Sequence, residues 1–290
     1  MPRPPEPRSV LPSVGIIGPG RAGLGLALAL RRAGADVLGV HGRREKKVPR
    51  GLALSVGGTP PWLGHAEVVL LAVRDDALAP LVRELAAARR RRGQVFLHLS
   101  GALTSSVLAP LRRGGAHSGS MHPLMTVSAV PGRAASHFRG AAFVLEGDAV
   151  AVRVARRLAR ALGGAPVTVR AAAKARYHAG AVFASNYVVA ALAAAERLLV
   201  GAGFSRRAAR RALAPLTQAS VDNLAHSGPV ASLTGPIARG DAATVRRHLA
   251  VLDPATRALY AALGRAALRL AVEGGLSREK ARAVASVLGR

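Results

Sequence analysis

A mostly apolar stretch over residues 171–200 contains Lys174, Tyr177, His178, Ser185 and Asn186. Among these, the types of Lys174, His178, Ser185 and Asn186 could support proton transfer and substrate binding. On an α-helix at about 100° per residue, His178 and Ser185 lie within about 40° of Lys174, and Asn186 lies about 120° away. Lysine and histidine can donate a proton, whereas serine and asparagine can hold a substrate by hydrogen bonds. This pattern predicts a catalytic face, with Lys174 or His178 as the proton donor.

Lysine is scarce in this chain, because nearly all of its 42 Lys and Arg residues are arginines. Arginine cannot be deprotonated in a protein, whereas a partly buried lysine can acquire a lowered pKa and exchange a proton. The choice of lysine at position 174 therefore favours a chemical role. The alternative is that Lys174 is solvated in an exposed first turn and that His178 is a packed, hydrogen-bonded histidine.

A second candidate site is a glycine-rich turn close to the start of the sequence. An apolar run ends in the spacing G-x-G-x-x-G, and an alanine- and leucine-rich helical run follows. In a strand–turn–helix unit the first glycine permits the turn, the second gives a pyrophosphate access to the backbone, and the third allows close helix–strand packing. The helix N-terminus then offers N–H groups to the phosphates. The predicted dinucleotide-binding residues are Gly18, Pro19, Gly20, Arg21, Ala22 and Gly23. The alternative is a glycine-rich turn in another kind of α/β domain.

The residues after the second predicted strand, 36–40, indicate which dinucleotide would bind. An NAD-selective site would carry an Asp or Glu there to hold the ribose 2′-hydroxyl. This chain instead has Arg43 and Arg44, whose guanidinium groups suit a 2′-phosphate. The sequence therefore favours NADP, although two surface arginines would look the same in an arginine-rich protein.

Three more residues follow predicted strands at the edge of the sheet where ligands bind in α/β folds. Val73 and Ser100 are predicted to border the cofactor. His122 lies in a predicted loop and directly precedes Pro123, which favours an extended backbone. A histidine fixed at the sheet edge could bind substrate or cofactor, and we predict that His122 binds substrate.

The elements that must position these residues change character near residue 170. Strands alternate with helices before this point, and nearly everything after it is helical. The predicted fold class is α/β, with an N-terminal doubly wound Rossmann parallel sheet and a C-terminal all-helical domain. The predicted divisions are a disordered tail at 1–12, an NADP-binding domain at 13–170 and a helical substrate and dimerisation domain at 171–290. The predicted helix N-caps are Asp75 or Asp76, Asp148, Ser205, Asp241, Asp253 and Ser277.

The net charge of +27 raises the possibility of nucleic-acid binding. Against it, the arginines are spread over most helices and only 3% of residues are aromatic, so no stacking platform is evident. With 0 Cys there is no disulfide framework, and no metal site is predicted. No apolar run reaches the roughly 18 residues of a membrane span without a glycine or a charge. A cytoplasmic protein is expected.

Six motifs in order resemble one family of bacterial proteins. They are Gly18–Gly23, His98–Ala102, His122–Thr126, Lys174–Ala179, Phe183–Tyr187 and Leu233–Asp241. That family pairs a Rossmann-like domain with the domain of unknown function 2520. It is related to ketopantoate reductases, pyrroline-5-carboxylate reductases and the β-hydroxyacid dehydrogenase superfamily. The resemblance implies an NADP-linked reductase whose helical domain supports dimerisation.

The sequence therefore predicts an NADPH-dependent oxidoreductase that reduces a small carbonyl or imine compound. The high positive charge favours an anionic substrate, such as the keto acid 2-dehydropantoate. A homodimer is expected, without specific nucleic-acid or membrane partners. Two alternatives remain open, a non-catalytic NADP-binding sensor or scaffold and a polyanion-binding protein.

Overall fold

The computed structural model describes residues 11–127 and 138–289. Its chain divides into two compact units, the first ending at Ser185 and the second beginning at Asn186. The first unit thus includes the start of the helical stretch that the sequence assigns to the second domain. Most of the predicted N-terminal tail lies outside the described residues.

The first unit is built on one mixed sheet in the order β3-β2-β1-β4-β5-β6-β7-β8. All neighbouring strands are parallel except β6 and β7, which are antiparallel. The strands are β1 (Val14–Ile17), β2 (Val37–Gly42), β3 (Leu54–Val56), β4 (Val68–Leu71), β5 (Val95–His98), β6 (His117–Leu124), β7 (Ala142–Gly147) and β8 (Ala165–Thr168). The doubly wound Rossmann prediction is confirmed, with one antiparallel pair added.

Hydrophobic cores cover both faces of this sheet, as expected for strands that are apolar along their whole length. Strands β1, β4 and β5 are buried at every position. The helices of this unit are α1 (Arg21–Arg32), α2 (Asp75–Ala87), α3 (Ala109–Arg112), α4 (Ala149–Ala161) and α5 (Lys174–Val182). Two 3₁₀ turns, Ser105–Leu108 and Ala171–Ala173, accompany them. Parallel strands with helices between them bring the ends of β1, β4 and β5 to one edge.

The structure corrects the prediction of a loop around His122. Residues His117–Leu124 form strand β6, and His122 lies within it. This strand carries buried polar side chains, Ser118 and Ser120, where a buried strand usually carries apolar ones. These buried serines, of which Ser120 is hydrogen-bonded to Lys174, interrupt the apolar pattern by which strands are recognised.

The second unit is helical among its described residues. Its helices are α6 (Val188–Gly201), α7 (Arg206–Ser232), α8 (Pro236–Arg239), α9 (Ala242–Ala250), α10 (Pro254–Glu273) and α11 (Arg278–Leu288). Helix α7 is kinked at Gly228, whose φ is 74°. Side-chain caps are confirmed at Asp148 in the first unit and at Ser205, Asp241, Asp253 and Ser277 in the second. A small core centres on Val245, Leu268, Val284 and Leu288.

One helical stretch of the described residues, Ala171–Gly201, is long and apolar enough to cross a membrane. The sequence reading, which counted uninterrupted runs only, missed it. Lys174 near its start donates hydrogen bonds to Ser100 and Ser120 of the same unit. These bonds tie that end of the stretch to the edge of the sheet, whereas only 6% of its most apolar window is buried.

Candidate active site

The glycine turn between β1 and α1 uses its three glycines in three ways. Gly18 has φ +111°, and a side chain there would also overlap the carbonyl of Ala72. A side chain on Gly23 would overlap the carbonyl oxygen of Gly18. At Gly20, by contrast, an added Cβ would meet no described atom within 4 Å. Two glycines are therefore required by packing, and Gly20 borders open space.

This open side of the turn fits a dinucleotide pyrophosphate. Helix α1 begins at Arg21 with Gly20 as its N-cap, and no side chain caps it. The first N–H groups of the helix are therefore available to an anion. Arg21 is exposed and Ala22 half-buried, whereas Pro19 packs against the Cα side of Gly42. The side chain of Val73 lies next to Gly18.

Arg43 and Arg44 directly follow β2 and are both exposed. The following residues line an open cavity of about 440 Å³ together with β3. Its lining is Glu45, Lys46, Lys47, Leu54 and Val56. The end of β2 thus presents four cationic side chains within five positions, Arg43 to Lys47. A 2′-phosphate would meet exposed cationic side chains here.

Lys174 contradicts the idea of a solvated first turn, because its side chain is only 1% exposed. Its Nζ donates to the carbonyl oxygen of Ser100 at 3.0 Å and to Oγ of Ser120 at 2.8 Å. Burial lowers the pKa of Lys174 to about 8, although the charges of Glu146 and Asp75 oppose this shift. Lys174 therefore joins β6 to the loop after β5.

The loop after β5 is held by the Ser100 side chain. Its Oγ donates to Asp75 at 2.9 Å and accepts from the N–H groups of Ala102 and Leu103. The prediction that Asp75 or Asp76 caps α2 is wrong, because both lie in its first turn and Arg74 is the N-cap. Asp75 is already occupied by Ser100, and Asp76 pairs with Arg74 at 3.1 Å.

A buried carboxylate, Glu146 of β7, lies on the other side of Lys174. It accepts hydrogen bonds from the backbone N–H and the Oγ of Ser105 at 2.8 and 2.7 Å. Ser120 Oγ approaches the same carboxylate at 3.4 Å. One polar network therefore runs from Asp75 through Ser100, Lys174 and Ser120 to Glu146, and we call it the lysine network.

His122 forms the outer part of this cluster. Its Nδ1 lies 2.6 Å from the hydroxyl of Tyr177, and the rings of His122 and His178 meet edge to face at 6.2 Å. Burial lowers the pKa of His122 to about 4, and His178 and Lys174 act in the same direction. Burial also raises the pKa of Tyr177 to about 12. At neutral pH this pair is therefore an uncharged imidazole beside an uncharged phenol.

Gly101 makes this packing possible. A Cβ on Gly101 would lie 2.6 Å from Cδ2 of His178 and 3.0 Å from Cε1 and Nε2 of His122. His98 lies deeper, fully buried, where burial, with the charge of Lys174, lowers its pKa to about 3. Its Nδ1 accepts from the N–H of Ser100 at 3.2 Å. His98 and His122 are therefore both uncharged at neutral pH.

The structure brings together Lys174, His178, His122 and Ser100, but not every predicted residue joins them. Helix α5 gives way to a π-helical turn at Phe183–Tyr187, so the count of 100° per residue from Lys174 fails beyond Val182. Ser185 is half-buried in that turn. Asn186 is exposed and is the first residue of the second unit.

Sequence reasoning missed several members of the site. Tyr177 lies three residues after Lys174, a spacing that places it on the same helix face, and this signal was available. No spacing in the sequence links Glu146 or Asp75 to Lys174, because only strand pairing and helix placement bring them near it. Gly101 could be understood only once both histidines were placed.

Family models match most of the chain in two parts. A Rossmann-like domain matches residues 3–123, and the domain of unknown function DUF2520 matches residues 141–267. No curated protein sequence shows significant similarity to the chain.

Solved structures share the fold at low sequence identity. A Bacteroides fragilis protein, provisionally assigned as an NADP oxidoreductase, is 22% identical with a TM-score of 0.71, covering 89% of this chain and 98% of its own. A reductive aminase from Aspergillus terreus, solved with NADPH4, cyclohexanone and allyl amine, is 19% identical with a TM-score of 0.58, covering 94% and 90%. Pyrroline carboxylate reductase from Plasmodium falciparum, solved with NADP, is 12% identical with a TM-score of 0.54, covering 94% and 98%.

Fold and comparisons together define a Rossmann-fold protein with the architecture found in NADP oxidoreductases. Within this class, the chain resembles the proteins that join a Rossmann-like domain to a DUF2520 domain.

Proposed function

We propose that this protein is an NADPH-dependent oxidoreductase that reduces a small carbonyl or imine compound. One observation carries the proposal. The open glycine turn follows β1, and the loop of Ser100 follows β5 at the same carboxyl edge of the parallel strands. In doubly wound sheets this edge is where dinucleotides and their substrates bind.

The cofactor would lie on the glycine turn. Gly18 and Gly23 shape the turn, while Gly20 and the N–H groups from Arg21 to Gly23 would face the pyrophosphate. Pro19 and Ala22 complete the turn, and Val73 and Ser100 would border the cofactor. Arg43 and Arg44 would pair with the 2′-phosphate. NADPH, when bound, supplies a hydride.

The roles of the two proton-donor candidates differ. Lys174 is buried and donates to Ser100 and Ser120, so we assign it the positioning of these two groups. His178 keeps part of its surface exposed and contacts His122, so it would be the donor to a carbonyl substrate. His122 and Ser185 of the first unit would contact the substrate.

The substrate class remains within the range that the sequence indicated. A keto acid such as 2-dehydropantoate is one candidate, and an imine is the other. The reductive aminase that shares the fold was solved with cyclohexanone and allyl amine, which supports the imine.

We further propose a cytoplasmic homodimer. The second unit exposes large apolar side chains along its helices, including Val189, Leu216, Val221 and Leu263. Exposed apolar surface of this extent commonly marks a protein interface. A second copy of this chain would bury it. Light scattering after size exclusion is expected to give twice the monomer mass, and a Leu216→Glu variant is expected to give the monomer mass.

Dinucleotide titration tests the proposed function. Wild-type protein is titrated with NADPH and with NADH at physiological salt, with free 2′-phosphorylated adenosine nucleotide as a control. We expect a preference for NADPH of about tenfold or more, ~1.4 kcal/mol, because of the 2′-phosphate contacts. Replacing Arg43 and Arg44 by alanine should abolish the preference. Replacing the exposed pair Arg112 and Arg113 by alanine should leave it unchanged.

Two results would favour the other readings. Tight NADPH binding without turnover on panels of keto acids and imines would favour a non-catalytic sensor or scaffold. The polyanion reading predicts salt-dependent nucleic-acid binding that survives Gly20→Glu. Equal or absent binding of both dinucleotides would contradict the proposed function.

A further inference from the structure

The two ring nitrogens of His122 have different surroundings. Nδ1 lies 2.6 Å from the hydroxyl of Tyr177. Nε2 and Cε1 face the loop after β5, where a Cβ on Gly101 would lie 3.0 Å from each of them. Among the described residues, Nε2 has no hydrogen-bond partner. A neutral imidazole carries its proton on one nitrogen and accepts with the other, so the partner of Nδ1 decides which nitrogen is the donor.

Tyr177 decides this choice in favour of Nε2. Burial raises the pKa of its phenol to about 12, so the hydroxyl keeps its proton at neutral pH and can donate it. The ring of His122 is the only hydrogen-bond partner of this hydroxyl within the part of the chain that the structure describes. If Nδ1 carried the imidazole proton, the phenol O–H would have to turn away from that partner. The arrangement that satisfies the phenol therefore has Nδ1 as acceptor and the proton on Nε2.

A second neutral histidine, His98, shows what distinguishes His122. Nδ1 of His98 accepts from the backbone N–H of Ser100 at 3.2 Å, so its proton also lies on Nε2. That nitrogen is buried without a hydrogen-bond partner among the described residues, and the whole side chain is 0% exposed. His122, by contrast, is half-buried. Of these two imidazoles, His122 is thus the one that can offer an N–H group to a ligand.

The N–H of His122 lies where the proposed function needs a donor. Gly101 follows Ser100, which would border the cofactor, and Cδ2 of His178 would lie 2.6 Å from the same added Cβ. The rings of His122 and of His178, the proposed proton donor, therefore both border the space that a side chain on Gly101 would fill. A substrate atom held beside this loop would come within reach of both rings.

We infer that Tyr177 is a positioning residue, which holds His122 in the tautomer whose Nε2–H donates a hydrogen bond to an acceptor atom of the substrate. This inference rests on the proposed function and deepens it. It narrows the substrate to a compound whose C=O oxygen or C=N nitrogen keeps a free lone pair. A protonated iminium ion has no such atom, so His122 would not recognise it.

This hydrogen bond becomes stronger during the reaction. When a carbonyl carbon gains a hydride, the C=O π pair moves to the oxygen, which carries a negative charge until it takes a proton from His178. A donor already aimed at that oxygen stabilises this charge without reorganising. A neutral imidazole N–H is a very weak acid, so His122 keeps its proton and acts only as a hydrogen-bond donor. Burial, which lowers the pKa of His122 to about 4, preserves this uncharged form at neutral pH.

Nitrogen NMR of the histidine rings tests the tautomer directly. The full chain is labelled with ¹⁵N in its histidine side chains, and His122 is assigned by the loss of its signals in His122→Asn. At neutral pH, proton–nitrogen correlations should place the proton of His122 on Nε2. In Tyr177→Phe the shifts of the two ring nitrogens should move towards each other, because both tautomers become populated. A proton on Nδ1 in the wild type, or unchanged shifts in Tyr177→Phe, would overturn the inference.

Tyr260→Phe is the matched control, because the hydroxyl of Tyr260 lies 2.9 Å from Nδ1 of His248 in the second unit. This variant should change the nitrogen shifts of His248 and leave those of His122 at their wild-type positions. Thermal unfolding verifies that both variants are folded, and both should bind NADPH as tightly as the wild type. Equal changes at His122 in the two variants would report a general loss of packing, and the inference would be wrong.

A matched pair of ligands tests the donor itself. Cyclohexanone and methylenecyclohexane have the same ring, but only the ketone has an acceptor atom. Each is titrated into the full chain saturated with oxidised NADP, which has no hydride to deliver. The ketone should bind about threefold to tenfold more tightly, the range expected of one net hydrogen bond. This preference should shrink in Tyr177→Phe and vanish in His122→Asn, whereas His122→Gln, whose amide N–H can replace Nε2–H, should keep part of it.

The failure of this inference can be told from the failure of the proposed function. Equal or absent binding of the two ligands, a ketone preference that survives in His122→Asn, or no rescue by His122→Gln would each overturn the inference alone, provided that NADPH binds. Failure of NADPH to bind would overturn the proposed function as well.

Discussion

Two tyrosine–histidine pairs of similar geometry occur in the two units. In the first unit, His122 Nδ1 lies 2.6 Å from the Tyr177 hydroxyl, with ring centroids 5.8 Å apart. In the second, His248 Nδ1 lies 2.9 Å from the Tyr260 hydroxyl, with ring centroids 5.9 Å apart. Both pairs of rings meet edge to face. The hydrogen bond alone therefore does not mark a functional site.

The surroundings of the two pairs differ. His122 is packed against His178 and Gly101 beside the lysine network, and burial lowers its pKa to about 4. His248 is exposed near the end of helix α9. The same two side chains thus form a surface contact in one unit and part of a desolvated cluster in the other. Perturbed titration next to specific charged partners is what identifies a candidate functional site.

The largest expected difference concerns the lysine that accompanies the first pair. Lys174→Met removes two hydrogen bonds from a buried network, leaves the Ser100 carbonyl and Ser120 without their donor, and leaves two carboxylates without a cation. We expect the free energy of unfolding to fall by about 2–4 kcal/mol. Urea denaturation measures it.

Lys280→Met in the second unit is the matched control. Lys280 is exposed, and we expect a change within about 0.5 kcal/mol. Equal losses of unfolding free energy in the two variants would show that the lysine network does not stabilise the first unit more than an exposed lysine stabilises the second.

The next difference should appear on acidification. Burial holds the pKa of His122 in the folded state near 4, below the usual histidine value of 6.5, so the folded state binds fewer protons between these values. Stability is therefore lost as pH falls from about 6.5 to about 4, on the order of 2–3 kcal/mol from this group. Chemical denaturation at a series of pH values measures it.

The matched variants are His122→Asn and His248→Asn. The first should lose less stability than wild type over this pH range, whereas the second should follow the wild-type curve. If the free energy of unfolding of His122→Asn fell with pH as steeply as that of wild type, the burial of His122 would not be the cause of the loss.

A smaller difference concerns the tyrosines themselves. Tyr177→Phe removes the partner of a largely buried imidazole, and we expect a loss of about 1–2 kcal/mol. Tyr260→Phe exposes His248 to water as an alternative partner, so at most about 0.5 kcal/mol should be lost. Thermal unfolding of both variants at neutral pH measures the two effects. An equal or larger loss in Tyr260→Phe would reverse the comparison.

How much the sequence predicted depends on how local each feature is. The glycine turn lies within six consecutive residues, and the side-chain caps at Ser205, Asp241, Asp253 and Ser277 depend on their own turns. Such features follow from spacing and residue type. Asp75 is not the cap because it lies inside the first turn of α2, and its carboxylate instead accepts a hydrogen bond from Ser100, 25 residues further along the chain.

The candidate active site depends on contacts between distant segments, and the sequence predicted only part of it. Lys174 was singled out correctly as unusual, but its burial follows from Ser100 and Ser120, which lie more than fifty residues away in sequence. Strand β6 has buried serines where a buried strand usually has apolar residues, so the sequence predicts a loop around His122. The π-helical turn after Val182 cannot be seen in residue spacing, and it changes the direction of every later side chain.

Histidine NMR on the full chain tests most directly whether the glycine turn and the polar cluster form one site. The chain has 9 histidines, which can be labelled together and assigned with single Asn variants. On addition of NADPH, the signals of His122 and His178 should shift, and that of His248 should not. Gly20→Glu, which places an anion where an added side chain meets no described atom within 4 Å, should abolish these shifts while the protein stays folded. Unchanged His122 and His178 signals in a protein saturated with NADPH, or shifts that persist in Gly20→Glu, would contradict the account.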